Sequence, residues 1–218
     1  MERYSPIDEF KLISKYFRPL TLSHPSALDL LDDAALITPS PGTQMVITCD
    51  ALVAGVHFPD VNKAQDVAAR ALRVNLSDLA AMGATPVAYT LALIVPKGTK
   101  EQWFQDFAEQ LRQDQEKYCI RLIGGDTVAT PGPLTISITI FGEASVGAAL
   151  TRSGAQIGDS IFVTGTIGDA YFGLRVLKGE LRRHGSVDLD YFVKRFVRPE
   201  PRLALGLAVC GVSSAAVD

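Results

Sequence analysis

The sequence predicts an α+β fold with α/β layers. Four short runs rich in β-branched residues alternate with two long stretches of helical periodicity. A segment of small residues and glycines then separates the last of these runs from a new apolar run. We expect residues 1–147 to form an N-terminal domain whose four-stranded sheet carries helices on one face, and residues 148–218 to begin a second α/β domain.

The first element is a helix predicted from about Pro6 to Phe17. Ser5 suits the N-cap, and Pro6 suits the first helical position because it lacks the N–H that would be unpaired there. Helical spacing places five apolar side chains broadly on one face: Ile7, Phe10, Leu12, Ile13 and Phe17. A polar, Asp-rich loop follows.

The sheet is predicted from the runs "QMVITCD" (44–50), "TLALIV" (90–95), "IRLI" (120–123) and "LTISITIFG" (134–142). Helices are predicted between them at 63–83, ending at Gly83, and at 99–118, with an apolar stripe formed by Trp103, Phe107 and Leu111. If these helices cover one face of the sheet, the other face needs a partner.

The second domain is expected to start with a strand at "IFVTG" (161–165) and a helix from about Asp169 to Lys178. The sequence ends in "SSAAVD", an apolar, strand-like run. We therefore expect the rest of this second domain to lie in chain beyond residue 218.

Composition excludes several classes of function. Hydrophobic residues make up 47% of 218, enough for a sizeable core, and a net charge of −3 gives no general attraction to nucleic acid. No run reaches the roughly 18 apolar residues of a membrane span, and the charged N-terminus does not resemble a signal peptide. Three widely spaced cysteines fit a reducing cytoplasm better than a disulfide framework.

Five aspartates stand where apolar stretches meet loops or helix ends: Asp33, Asp50, Asp78, Asp126 and Asp218. Carboxylates so placed can converge on Mg²⁺, which prefers oxygen ligands. Taken singly, each has another interpretation. Asp32 and Asp33 could form a solvated turn, Asp50 or Asp78 a cap, and Asp126 an Asx-turn after two glycines.

Two other side chains are candidates for ligand binding. His57 lies seven residues after Asp50, although a lone histidine beside Phe58 is more often a packed or surface residue. The fork of Arg152 suits phosphate oxygens, or Arg152 is a surface cation. The sequence has no GxxxxGK[ST] and no GxGxxG, so a bound nucleotide would be held mainly through metal ions.

Several motifs together resemble the thiamine-monophosphate kinases. They are "ITCDALVAGVHF", "ALRVNLSDLAAMGATP", "LIGGDT", "LTRSGAQIGD", "FVTGTIGDA" and "RPEPR", and they span the chain from about residue 8 to its end. "NLSDLAAMGA" with "GGDT" is typical of a superfamily that also holds aminoimidazole ribonucleotide synthetase, selenophosphate synthetase and a hydrogenase maturation protein. "DALVAGVHF" and "LTRSGA" favour the thiamine branch.

The resemblance implies ATP-dependent phosphorylation of thiamine monophosphate to thiamine diphosphate, with several Mg²⁺ ions and a homodimer formed through the sheet. It implies metal binding by Asp33, Thr48, Cys49, Asp50, Asp78, Asp126 and Asp218, ATP binding by Gly125, Asp126 and Arg152, and substrate binding by His57. No general base is implied, because the acceptor phosphate is already anionic.

Two positions depart from the family's pattern: Leu31 stands where a glycine is usual, and Cys49 replaces a usual threonine. A backbone carbonyl at Cys49 could still bind metal. The alternatives are another ATP-using synthetase of the superfamily and a non-catalytic nucleotide-binding or dimerisation module. A two-metal phosphatase would need a richer His/Asp cluster than His24, His57 and His184 provide.

Overall fold

The chain begins with a short, irregular helical segment. The computed structural model describes residues 9–60, 63–181 and 188–218, so the predicted N-cap Ser5 and the residues Pro6 and Ile7 lie outside the described part. Helix α1 (Glu9–Leu12) continues into a π-helical turn at Ile13–Phe17. Phe17 is buried as predicted, but the placement of Phe10 on the same face is wrong, since Phe10 is 80% exposed.

The four predicted strands form one mixed sheet. Its strands are β1 (Thr43–Val53), β2 (Thr85–Pro96), β3 (Arg121–Thr130) and β4 (Thr135–Ser145), in the spatial order β1-β4-β2-β3. Strand β4 is antiparallel to both β1 and β2, whereas β2 and β3 are parallel. Strands β1 and β3 are therefore the two edges of the sheet.

Two long helices cover one face of this sheet, as predicted. Helix α2 (Ala64–Ala81) packs on the sheet and on α3 (Glu101–Tyr118). Alternate residues of β4 point into the core, so Ile136, Ile138 and Ile140 are buried together with Leu72 and Leu76 of α2. None of the helices in the described part of the chain combines the length and hydropathy that a membrane span requires.

Strand β3 is longer than the sequence predicts. The sequence predicts an end at Ile123, but the strand runs through Gly124, Gly125 and Asp126 and ends at Thr130. Pairing with β2 overrides the low strand propensity of the glycines. A Cβ atom at Gly125 would lie 2.0 Å from the carbonyl oxygen of Leu91, so this position admits only glycine at the observed strand spacing.

The second face of the sheet is only partly covered. Ala27, in a helical turn at Pro25–Leu30, packs against Ala88 of β2 and Ile123 of β3. Elsewhere on this face, Ile47 of β1 and Val128 of β3 are exposed. We call this uncovered area the open face of the sheet.

The residues after β4 form helices and irregular segments. They include α4 (Asp169–Leu177), close to the predicted bounds, α5 (Leu189–Val197) and α6 (Leu203–Ala208). The prediction of a strand at 161–165 is wrong. These residues pair with no strand in the described part of the chain, and Phe162 is 90% exposed. An isolated extended run lacks the backbone partners that stabilise a strand.

Helix α2 also anchors the C-terminal segments. Helix α6 approaches α2 so closely that a Cβ at Gly206 would lie 2.0 Å from the carbonyl oxygen of Ala80. Arg198 donates a hydrogen bond to Asp66 at 2.8 Å. The same helix therefore contacts the sheet, α3 and the C-terminal part of the chain.

A buried ion pair joins α2 to α3. The guanidinium of Arg73 donates to both carboxylate oxygens of Asp114, at 3.0 and 2.7 Å, and both side chains are almost fully buried. Arg73 also lies 3.8 Å from a carboxylate oxygen of Glu200, which accepts a hydrogen bond from Lys117 at 2.6 Å. This network holds residues near Glu200 against both helices.

Candidate functional site

The first part of the site lies between edge strand β1 and helix α2. Thr48 Oγ1 donates a hydrogen bond to Asp78 Oδ2 at 2.6 Å. Thr48 and Asp50 alternate with exposed residues along β1, which places both on the side of the strand that faces α2. The structure thus brings together Thr48, Asp50 and Asp78, three of the residues that the sequence analysis selected.

A residue that the sequence analysis missed connects these two elements. Asn75 is fully buried on α2, and its Oδ1 accepts a hydrogen bond from the backbone N–H of Asp50 at 3.0 Å. Its Nδ2 donates to the carbonyl oxygen of Ala71 at 3.0 Å. The available signal was an amide three residues before Asp78 on the same helical face, inside a predicted apolar helix.

Asp218 joins the same group of acidic residues. Its carboxylate accepts a hydrogen bond from the hydroxyl of Ser77, the neighbour of Asp78 on α2. Burial raises the pKa of Asp50, the negative charges of Asp78 and Asp218 raise it further, and His57 acts in the opposite direction. The charges of Asp78 and Asp218 both act against ionisation of Asp50, and a cation bound beside Asp50 would relieve this repulsion.

Two other predicted residues of this region are placed differently. The side chain of Cys49 points to the open face, where its Sγ lies 3.5 Å from Ser137 Oγ, because neighbouring strand residues face opposite sides. Only the backbone of Cys49 could therefore contribute to the acidic group. His57 is exposed, and its Nδ1 accepts a hydrogen bond from the backbone N–H of Val53 at 3.0 Å, which leaves Nε2 to face a ligand.

The second part of the site is a cleft of about 270 Å³ along strand β3. One wall is formed by β3 from Leu122 to Thr127, including Gly125 and Asp126, and the other by the segment that carries Asp32 and Asp33. Asp33 and Asp126 thus line the same cleft. Asp126 Oδ1 accepts a hydrogen bond from the N–H of Thr127 at 2.8 Å.

The five aspartates do not converge within one chain. Asp50 lies on β1 and Asp126 on β3, at opposite edges of the four-stranded sheet. Three strand spacings separate the two edges by about 14 Å. Among the described residues, no three His, Cys, Asp or Glu side chains are close enough together to hold a metal ion. The expectation that all five lie around one cation is therefore not met within this chain.

Arg152 lies beside the segment that leads to Asp218. It is exposed in a short turn at Arg152–Gly154, and the carbonyl oxygen of its neighbour Thr151 accepts a hydrogen bond from the N–H of Ala216 at 3.3 Å. Gly154 packs against the carbonyl group of Ser214. The guanidinium of Arg152 is thus held on a loop attached to the acidic group, with its donors available to an anion.

The oxygen atoms that these residues present suit a hard divalent cation. Asp50, Asp78 and Asp218 offer carboxylates and Thr48 a hydroxyl, and His57 is a nitrogen-bearing side chain near enough to act on the Asp50 carboxyl. The oxygen donors suit Mg²⁺ better than Zn²⁺ or copper. Asp33 and Asp126 present the same chemistry in the cleft.

Comparison with protein families identifies the class to which this fold and its acidic residues belong. Residues 31–144 match the family model described as AIR synthase related protein, N-terminal domain. The matched region contains the whole of α2 and α3 and nearly all of the sheet. The chain belongs to this family.

The particular relatives are thiamine-monophosphate kinases. The chain is 45% identical over 215 residues to that of Caulobacter vibrioides, covering 98% of this chain and 60% of the relative. It is 45% identical over 212 residues to that of Escherichia coli K12, covering 96% of this chain and 64% of the relative. This chain therefore spans less than two thirds of the length of these relatives.

Solved structures show the same fold. The crystal structure of thiamine-monophosphate kinase from Stenotrophomonas maltophilia K279a matches with a TM-score of 0.82 and 41% identity, covering 95% of this chain and 66% of that one. A structure described as AaThiL complexed with AMPPCP and TMP matches with a TM-score of 0.74 and 28% identity, covering 82% of this chain and 56% of that one.

Proposed function

We propose that this chain belongs to an enzyme that transfers the γ-phosphoryl group of ATP to thiamine monophosphate, giving thiamine diphosphate. The observation that carries the proposal is the placement of oxygen ligands without a P-loop lysine: Asp33 and Asp126 in one cleft, and Thr48, Asp50 and Asp78 around α2. The names of the relatives and the ligands of AaThiL, AMPPCP and TMP, support the same reaction.

The proposed roles follow from where the side chains lie. Asp126 and Asp33 would hold Mg²⁺ against the nucleotide phosphates in the cleft, and the backbone at Gly125 would lie beside them. Arg152 would bind phosphate oxygens through its fork, and His57 would contact the substrate. When bound, Mg²⁺ neutralises phosphate charge and so lowers the repulsion between the two anionic reactants.

The protein residues would do the positioning in this mechanism. Phosphoryl transfer needs the attacking phosphate oxygen and the leaving oxygen of ATP in line, and it needs little covalent help from the protein. No side chain has to remove a proton, because the acceptor phosphate is already anionic at neutral pH. The aspartates and Arg152 would therefore bind and orient the two phosphate groups.

We propose that the enzyme is a homodimer that packs through the open face of the sheet. Ile47 of β1 and Val128 of β3 are exposed there, and a second copy would bury them. The separation of the two acidic groups gives a further reason, because a second protomer could bring the acidic group near Asp50 towards the partner's cleft. We place the reaction in the cytoplasm, where the three free cysteines would stay reduced.

The decisive experiment is turnover of the purified protein. With ATP, thiamine monophosphate and Mg²⁺, we expect stoichiometric formation of ADP and thiamine diphosphate, measured by chromatography. Asp126→Asn should lower kcat at least about 100-fold, because it removes a metal-binding charge from the cleft. Asp106→Asn is the matched control: the same chemical change on α3, outside the residues that line the cleft, should leave kcat within about twofold.

The outcomes separate the proposal from its rivals. ADP formed with a different acceptor would favour another synthetase of the family. Nucleotide binding with no product would favour a non-catalytic module. Mixing inactive Asp50→Asn and Asp126→Asn protomers tests the shared site: activity that returns on mixing requires residues from two chains, whereas continued inactivity contradicts that arrangement.

A further inference from the structure

Asn75 is fully buried and connects the backbone of β1 to α2, the helix that carries Asp78. Among the described residues, no other fully buried side chain makes this connection. Strand β1 is an edge strand, so one row of its backbone groups has no strand to pair with. The N–H of Asp50 donates instead to Asn75 Oδ1 at 3.0 Å. The amide of Asn75 thus substitutes for a missing strand at this position.

The second hydrogen bond of Asn75 sets the direction of the first. Nδ2 donates to the carbonyl oxygen of Ala71, one turn earlier on α2, at 3.0 Å. With the amide nitrogen fixed to its own helix, the amide oxygen has one orientation, towards β1. An unpaired amide in this fully buried position would be costly, so both bonds are expected to be maintained together.

The spacing along α2 relates these bonds to the acidic group. Asn75 and Asp78 are three residues apart and share one face of the helix. Asn75 holds the backbone of Asp50, while Asp78 accepts from Thr48, two residues earlier on the same strand. Two hydrogen bonds between the same strand and helix therefore fix the register of β1 on α2, and with it the backbone positions from which the Asp50 and Asp78 side chains extend.

The geometry points to Asn75 as a positioning residue, which holds the carboxylates of Asp50 and Asp78 at the separation that a shared divalent cation requires. The inference rests on the proposed function, because that function supplies the cation. Asp50 and Asp78 repel one another, and a flexible edge strand would let them move apart. The buried amide opposes this movement without touching the cation itself.

The test compares two buried amides. Asn75→Leu removes both hydrogen bonds at nearly constant volume. Gln115→Leu is the matched control, because Gln115 is also fully buried on an 18-residue helix, but its Nε2 donates to Tyr89 Oη at 3.2 Å, away from the acidic group. For each variant, unfolding in urea and Mn²⁺ binding, by electron paramagnetic resonance of the free ion, are measured on the full chain.

We expect Asn75→Leu to weaken Mn²⁺ binding about tenfold or more, as removal of a residue behind metal ligands commonly does. Gln115→Leu should lower stability comparably and leave Mn²⁺ affinity within about twofold. If Asn75→Leu does not fold, Asn75→Ala takes its place, and the same loss of Mn²⁺ affinity is expected of it. Amide hydrogen exchange at Asp50 should also speed up in the Asn75 variant beyond the change that its global stability explains.

Equal Mn²⁺ affinity in wild-type and Asn75→Leu protein would overturn the inference and leave the proposed function standing. The inference also fails if both leucine variants weaken binding in proportion to their loss of stability. If the wild-type chain binds no Mn²⁺, the proposed metal-assisted function fails, and the role of Asn75 in cation binding fails with it.

Discussion

Thr48 Oγ1 and Asp78 Oδ2 are 2.6 Å apart, so a hydroxyl on the edge strand of the sheet is bonded to a carboxylate on the helix that covers it. Thr48→Val keeps the shape of the side chain and removes the donor. We expect the free energy of unfolding to fall by about 1.5–3 kcal/mol, the usual value of a hydrogen bond to a charged group. Urea denaturation of the wild-type protein and the variant at pH 7, without metal, measures this difference in the free energy of unfolding.

Thr48→Ser is the control for this change, since it keeps the hydroxyl and loses only a methyl group. It should lower stability by less than the valine variant. Equal losses in the two variants would show that packing of the methyl group, and not the hydrogen bond to Asp78, holds β1 to α2.

Adjacent glycines on β3 should respond very differently to alanine. At Gly125 the new Cβ would meet the carbonyl oxygen of Leu91 at 2.0 Å, whereas at Gly124 it would meet Thr90 Cγ2 at an ordinary 3.6 Å. Gly125→Ala should therefore cost about 1–3 kcal/mol, and Gly124→Ala less than about 1 kcal/mol. Chemical denaturation measures the free energy of unfolding of both variants. If Gly125→Ala is as stable as the wild-type protein, β2 and β3 can move apart at little cost.

The buried ion pair between Arg73 and Asp114 should make a large contribution to stability. Asp114→Asn leaves the Arg73 guanidinium buried without its full counter-charge, which commonly costs about 3–5 kcal/mol. Glu109→Gln breaks an exposed pair with Arg112 and should cost less than about 1 kcal/mol. Unfolding in guanidinium chloride measures the stability of both variants. Similar losses of stability in Asp114→Asn and Glu109→Gln would contradict the burial of the first pair.

Stability should fall in acid partly through Glu200. Burial acts to raise the pKa of Glu200, but the hydrogen bond from Lys117 and the charges of Lys117, Arg73 and Arg202 outweigh it, so the pKa lies below its usual value. A depressed carboxylate pKa stabilises the fold above the unfolded value of about 4.3, and this stabilisation is lost as the pH falls through the folded pKa.

Glu200→Gln should therefore lower the melting temperature at pH 7, and its effect should shrink as the pH falls through the folded pKa of Glu200, where the wild-type carboxylate takes up a proton. Thermal unfolding followed by circular dichroism at pH 7, 5, 4 and 3 measures the difference. A constant difference between the two proteins across this range would show that the contribution of Glu200 does not depend on its charge.

The strands and long helices could be predicted because their signals are local. The alternation in β4 and the helical spacing in α2 and α3 depend only on neighbouring residues. The end of β3 could not be predicted, because glycines usually interrupt a strand and only the pairing with β2 carries the strand through them. The exposed run at 161–165 illustrates the converse, since apolar residues alone do not supply a pairing partner.

The acidic residues could be identified from their motifs, but their grouping could not. It depends on the strand order, which places Asp50 and Asp126 on opposite edges. Asn75 is visible in the sequence as an amide inside an apolar helix, but its role depends on a partner on β1 that only the fold supplies. The face on which Cys49 lies followed from strand alternation alone and could have been predicted.

The position of β1 has a consequence for the order of folding. This strand pairs only with β4, so Asp50 finds its partner Ile138 after the chain has passed through α2, β2, α3 and β3. Contacts between residues so far apart in sequence form slowly, because a long loop must close first. During synthesis, β1 can therefore complete its strand pairing only after β4 has left the ribosome, which makes this edge dependent on the last strand of the sheet.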